Sequence, residues 1–248
     1  MEILIIREKT ARRLKKETGK TAGAPLLQLV DVTHVYGDST VLDRVSLRIH
    51  RGECVSLVGE NGSGKSTLLR VAAGRERPSG GSVVFDGGEI REDSPDVRKR
   101  VASVMDPGAF YPDLTVREHL RLVALSHGMG AGADAAVDRV LESHRLTAQS
   151  EQFPSALSSG QTQALLLAAA FIRPHDLLIL DEPEQRLDSQ ARTALAHLIA
   201  EHRDRGVAVL MATHHRALNE VADQIVEIGS RSAHSGPSGA VQGEERTV

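Results

Sequence analysis

Gly59-Glu60-Asn61-Gly62-Ser63-Gly64-Lys65-Ser66-Thr67 is the stretch on which the reading of this chain turns. It fits the pattern G-x-x-x-x-G-K-[ST]. Its glycines let the backbone curl until several N–H groups face one anion. The apolar run Cys54 to Val58 before it reads as a short buried strand, and Lys65 to Ala73 after it as a helix. A helix beginning near Lys65 aims the positive end of its dipole at the same anion. Lys65 adds a mobile charge for β- and γ-phosphates, and the Ser66 hydroxyl is the right size to ligate Mg²⁺ beside them. The whole loop, Gly59 to Thr67, is therefore a candidate cradle for ATP with Mg²⁺.

A second pattern lies downstream. Leu177-Leu178-Ile179-Leu180 ends in Asp181-Glu182-Pro183. Four apolar residues bury a strand and hold both carboxylates at its carboxyl end, where open α/β sheets bind ligands. Successive strand residues point opposite ways, so the two acids can take different tasks. Asp181 is a candidate to hold Mg²⁺, and Glu182 to orient or deprotonate an attacking water.

Around these motifs the chain alternates strands and helices, the mark of an α/β parallel sheet. Val41, Val45, Leu47 and Ile49 recur at odd positions and predict a half-buried strand. Residues 82–86 and 101–105, Val207 to Ala212 and Gln224 to Ile228 are further strands. Ser158 to Ile172 and Ser189 to Arg203 are helical. From Thr115 to about Arg145 the pattern is helical with a break at Gly128, Gly130 and Gly132, which suggests an inserted helical subdomain. Residues 1–24 set seven Lys and Arg against three Glu and read as a basic extension. Residues 230–248, rich in Ser and Gly, read as a disordered tail.

Composition excludes several classes. The net charge of −3 gives no basic field for nucleic acid, and four Phe, two Tyr and no Trp leave no platform for stacked bases. The one cysteine, Cys54, rules out a disulfide framework and reads as a buried structural thiol. The longest apolar run, Ala164 to Ile172, is too short for the ~20 residues of a spanning helix. MEILII lacks a cleavage site and does not read as a secretory signal. The histidines are scattered, and His119, His197 and His202 read as helix-surface residues.

Leu157-Ser158-Ser159-Gly160-Gln161 completes the set. Alone it reads as a helix start capped by Ser158 or Ser159. In order with Tyr36, the phosphate loop, Met105 to Thr115, Leu177 to Pro183, Leu187-Asp188 and Thr213-His214, it makes residues 26–229 resemble the ATP-binding cassette (ABC) ATPases. The resemblance implies a P-loop NTPase fold: α/β, with a mixed, mainly parallel core sheet, an N-terminal antiparallel β part and a helical subdomain at about 107–160. It implies that Tyr36 stacks on adenine and that His214 touches the γ-phosphate. It implies that Ser158, Gly160 and Gln161 contact ATP held by a second cassette, here a second copy of the chain. Phe110 to Leu114 would meet an integral membrane permease, placing the chain on the cytoplasmic face of the cell membrane.

The chain departs from the family at three places. Asp106 stands where the family has a Gln that serves Mg²⁺, and it is expected to add a third carboxylate to the metal site. Gln185 and Arg186 replace small residues before Leu187-Asp188. Thr162 stands where a basic residue is common. The leading reading is the energising subunit of a transporter, leaning to export because the helical insert is short. A non-transport ABC ATPase and a low-turnover nucleotide-dependent regulator stay open beside it.

Overall fold

The computed structural model describes residues 23–106, 108 and 110–229. The basic extension, save its last two residues, and the tail lie outside them. The chain opens with an antiparallel hairpin of β1 (Leu27–Tyr36) and β2 (Ser39–Ile49), then β3 (Cys54–Val58) and α1 (Lys65–Ala72). Strands β4 (Gly80–Phe85) and β5 (Gly88–Glu89) follow, with α2 (Pro95–Arg100) and β6 (Val101–Val104). Three helices come next: α3 (Val116–Ser126), α4 (Ala133–Ser143) and α5 (Ser159–Phe171). The chain then alternates through β7 (Leu177–Asp181), α6 (Ser189–Asp204), β8 (Ala208–Ala212), α7 (Arg216–Glu220) and β9 (Gln224–Glu227).

Two sheets result. One is antiparallel in the order β2-β1-β4-β5; the other runs β6-β7-β8-β3-β9, with every neighbouring pair parallel. The parallel sheet is buried on both faces, which is why its strands read as unbroken apolar runs. Along β7 the side chains alternate between two cores. Leu177 and Ile179 join the one that includes α1 and the antiparallel sheet, while Leu178 and Leu180 join the one built with α3 to α6. Each such side chain, fully withdrawn from water, contributes about 1.5–3 kcal/mol.

The helical segment forms for local reasons. Thr115 and Glu118 make a reciprocal capping box that starts α3. Val116, Leu120 and Ala124 on α3, and Ala133, Ala136, Val137, Val140 and Leu141 on α4, are buried at helical spacing. Gly128 and Gly130, at φ 79° and 49°, turn the chain between them.

Three expectations need correction. In β2 the odd-numbered alternation holds only from Val45 onward: Arg44 adopts φ 48°, and Leu42 rather than Val41 enters the core. An irregular register against β1, which itself has Asp31 at φ 47°, accounts for the slip. Strand β1 and helix α2 went unread, because the polar residues Gln28, Asp31 and His34 mask β1's pattern and α2 has only six residues. His119 is buried, not on the surface. Its Nε2 lies 2.9 Å from the Tyr111 carbonyl, and its ring stacks on Tyr111 and meets the edge of Phe110. His202 is half-buried and stacked on His175.

Candidate functional site

Because β6, β7, β8 and β3 are parallel neighbours, the segments that leave their carboxyl ends emerge at one edge of the sheet. Those segments carry Asp106, Asp181-Glu182, Thr213-His214 and the loop Gly59 to Thr67. The loop is tightly determined. Gly59 adopts φ 149° and packs so closely on the exit of β9 that a Cβ there would lie 2.1 Å from the Ile228 carbonyl oxygen. Gly62 and Gly64 also have positive φ, and Gly64 is the residue that caps α1. Lys65 is buried at 5% exposure, and its Nζ donates to the carbonyls of Gly59 and Glu60 at 2.8 Å each. Asn61, Gly62, Gly64, Lys65, Ser66, Thr67, Val41 and Glu182 line an open cavity of about 400 Å³.

Asp181 ends β7 half-buried and hydrogen-bonded to the Ser66 hydroxyl. Burial pushes its carboxyl above the ordinary value. The Ser66 hydrogen bond opposes that, the Glu182 charge adds to it, and Arg70 and Lys65 oppose it. Glu182 sits at φ 44°, a left-handed conformation that a non-glycine residue rarely adopts. One of its oxygens lies 4.0 Å from His214 Nε2. The other accepts a hydrogen bond from the Gln185 side-chain amide. His214 is exposed, on a turn anchored by fully buried Thr213, whose hydroxyl donates to Glu184 at 2.5 Å and accepts from the His215 N–H at 3.0 Å.

The residues present fit a nucleoside triphosphate with Mg²⁺. Ser63 Oγ is buried with no hydrogen-bond partner and lies in the curled loop. Ser66 and Asp181 offer two oxygens side by side, the small protein donor set that Mg²⁺ takes alongside phosphate oxygens and water.

Other expected residues are placed differently. Tyr36 stands 46% exposed beyond the cavity lining; its hydroxyl donates to Glu76 and its ring meets His34 edge-on at 4.6 Å. The Glu76 bond is the main reason its phenol is pushed above the ordinary value. Ser158 caps α5 and Gln161 returns the bond. The Ser158 N–H donates to Gln161 Oε1 at 2.8 Å, so that N–H and the Gln161 side chain are engaged within the chain. Gly160 packs against the Arg186 carbonyl, where a Cβ would stand 2.7 Å from the oxygen. Asp106 turns to Arg75 at 3.0 Å and lines a separate depression with Ser103 and Gly108, away from the cavity that Lys65 and Glu182 share. Glu76 and the Gln185 amide were missed as partners of Tyr36 and Glu182; no spacing in the sequence announces contacts 40 residues apart or a side-chain bond within a turn.

Comparison with known proteins identifies the family and the fold. The ABC transporter family profile matches residues 42–185. The chain is 36% identical over 190 residues to Nod factor export ATP-binding protein I of Cupriavidus pinatubonensis, covering 76% of this chain and 58% of that protein. It is 34% identical over 192 residues to spermidine/putrescine import ATP-binding protein PotA of Pseudomonas aeruginosa, covering 77% of this chain and 53% of that protein. The chain thus spans little more than half the length of these two relatives. A dimeric ATP-binding cassette solved in a post-hydrolysis state with ADP and Pi superposes at TM-score 0.74 with 26% identity, over 82% of this chain and 94% of the other. With a P-loop, a following pair of strand-end carboxylates and a match over more than half its length, this chain belongs to the ABC transporter ATP-binding proteins.

Proposed function

We propose that the chain binds ATP with Mg²⁺ and hydrolyses it to energise an ABC transporter through a separate membrane permease. The observation that carries this is the cavity in which Lys65 and the loop N–H groups share walls with Glu182. Lys65 and the loop bind and orient the phosphates, and the backbone donors of the loop need no rearrangement as charge shifts. Ser66 and Asp181 would hold Mg²⁺, which when bound neutralises phosphate charge. Glu182 orients the attacking water and takes its proton. His214 reaches toward the same end of the site, and Tyr36 offers its ring to the base.

A second copy of the chain would bring Ser158, Gly160 and Gln161 to this ATP, which requires Gln161 to release the Ser158 N–H. Residues 107–160 act as the helical subdomain, and Phe110 to Leu114 with exposed Tyr111 as the permease contact. The chain would then sit peripherally on the inner face of the cell membrane. Among the described residues no helix is long and apolar enough to cross a membrane. Export is the proposed direction, supported by the export relative, though an import relative is nearly as similar. Asp106, paired with Arg75 at 3.0 Å, is not included in this proposed metal set.

Glu182→Gln tests the chemistry. Turnover should fall about 10²- to 10⁴-fold while ATP binding is retained. Equal loss of binding, or undiminished turnover, would refute the role. Pull-down from membranes should recover a multi-span protein, and recovery of none would sink the transport reading. A low-turnover regulator is the second reading, favoured by the Gln185 amide bound to Glu182.

A further inference from the structure

Glu182 is the residue on which hydrolysis depends, and both its oxygens are turned to the protein. One faces His214 at 4.0 Å; the other is bonded by Gln185. The Gln185 contact is local. Its backbone N–H also donates to the Glu182 carbonyl at 3.1 Å, so main chain and side chain close the same turn. Glu182 has φ 44° and Arg186 φ 64°, so the turn is bounded by two non-glycine residues in left-handed conformations. Gln185 itself is exposed, free to swing away when the turn moves.

The same turn touches the second motif. The carbonyl of Arg186 lies against Gly160, with no room for a Cβ between them. Displacing the start of α5 therefore displaces Arg186, and Gln185 is its covalent neighbour.

We propose that Gln185 is a positioning residue that acts as a brake. It holds the Glu182 carboxylate away from the water-orienting position, and movement of the Ser158–Gln161 turn against Arg186 releases it. An amide bonded to a carboxylate occupies a lone pair that water would otherwise use, and it fixes the carboxylate's rotamer. The inference rests on the ATPase reading above.

The test compares steady-state ATP hydrolysis by the full chain with that of Gln185→Ala and Gln185→Asn, the second keeping the amide but shortening its reach by a methylene. Both variants should raise kcat about three- to tenfold with KM for ATP within about twofold, the effect of one lost hydrogen bond on an active carboxylate. In the unaltered, ligand-free chain the Gln185 side-chain amide proton should resonate downfield, and Glu182→Ala should abolish that displacement. An unchanged or lower kcat in both variants, with the natural chain active, would overturn the brake and leave the ATPase reading standing. If the natural chain and both variants bind ATP yet hydrolyse none, the ATPase reading falls and the brake with it. Turnover that appears only in the variants supports both.

Discussion

Asp181 and Asp106 are both aspartates at strand ends on neighbouring strands, and their surroundings divide their roles. Asp181 is half-buried against Ser66 and Glu182, so its charged form is costly and a cation beside it is welcome. Asp106 has its cation already in Arg75, at the end of the turn that follows α1. Asp181→Asn should weaken Mg²⁺-dependent ATP binding about tenfold or more, whereas Asp106→Asn should change it less than about twofold, by titration calorimetry with and without Mg²⁺. Acid should act through Asp181 as well. Its raised pKa means that protons compete with the metal at a higher pH than for an ordinary aspartate. Apparent Mg²⁺ affinity should be constant above that value and fall as pH drops through it. An exposed-carboxylate titration in the same assay would contradict this.

At the scale of elements, the sequence was most legible where one short pattern carries one strong constraint. The loop Gly59 to Thr67, β7 and the start of α5 could all be read, because glycine curl, strand burial and a Ser-x-x-Gln cap are local. What escaped was non-local or weakly patterned. The slip in β2 comes from register against β1, which period-two counting cannot see. His119 is buried because the Tyr111 carbonyl lies over it, although helix spacing alone gives it no partner. The Asp106 contact with an arginine 31 residues earlier likewise leaves no local mark in the sequence. The α5 cap yields its own prediction: Ser158→Ala removes the side-chain acceptor of the Gln161 N–H and should cost about 1 kcal/mol of stability, read as a lowered urea midpoint at unchanged slope.

Over the whole molecule, the second core contains a charge-sensitive cluster far from the nucleotide loop in sequence. His144 just past α4, His175 in the loop before β7 and His202 on α6 surround Phe171, with His175 and His202 stacked at 5.5 Å. The Nε2 atoms of His144 and His175 are buried without partners. Burial pushes both imidazoles down, each to about 4, and lowers His202 for the same reason. Above the unfolded value of 6.5 all three are neutral in either state and the stability they permit is complete. Between 6.5 and about 4 the unfolded chain binds protons that the folded chain refuses at His144 and His175, so stability falls on the order of 1.4 kcal/mol per pH unit for each of these two imidazoles. Urea unfolding at pH 7 and pH 5 measures the loss, and His144→Phe should reduce it. The parallel sheet sets a different kind of limit. β8 carries no chemistry between its ends, yet it lies between β3, which leads into the phosphate loop, and β7, which ends in the carboxylates. Strands pack at a nearly invariant spacing of about 4.8 Å, so the gap between these two strand ends comes in whole steps of strand order. Drift in side chains can adjust reach and charge around the nucleotide, but it cannot stretch this interval, so β8 is a ruler whose length a point mutation leaves unaltered.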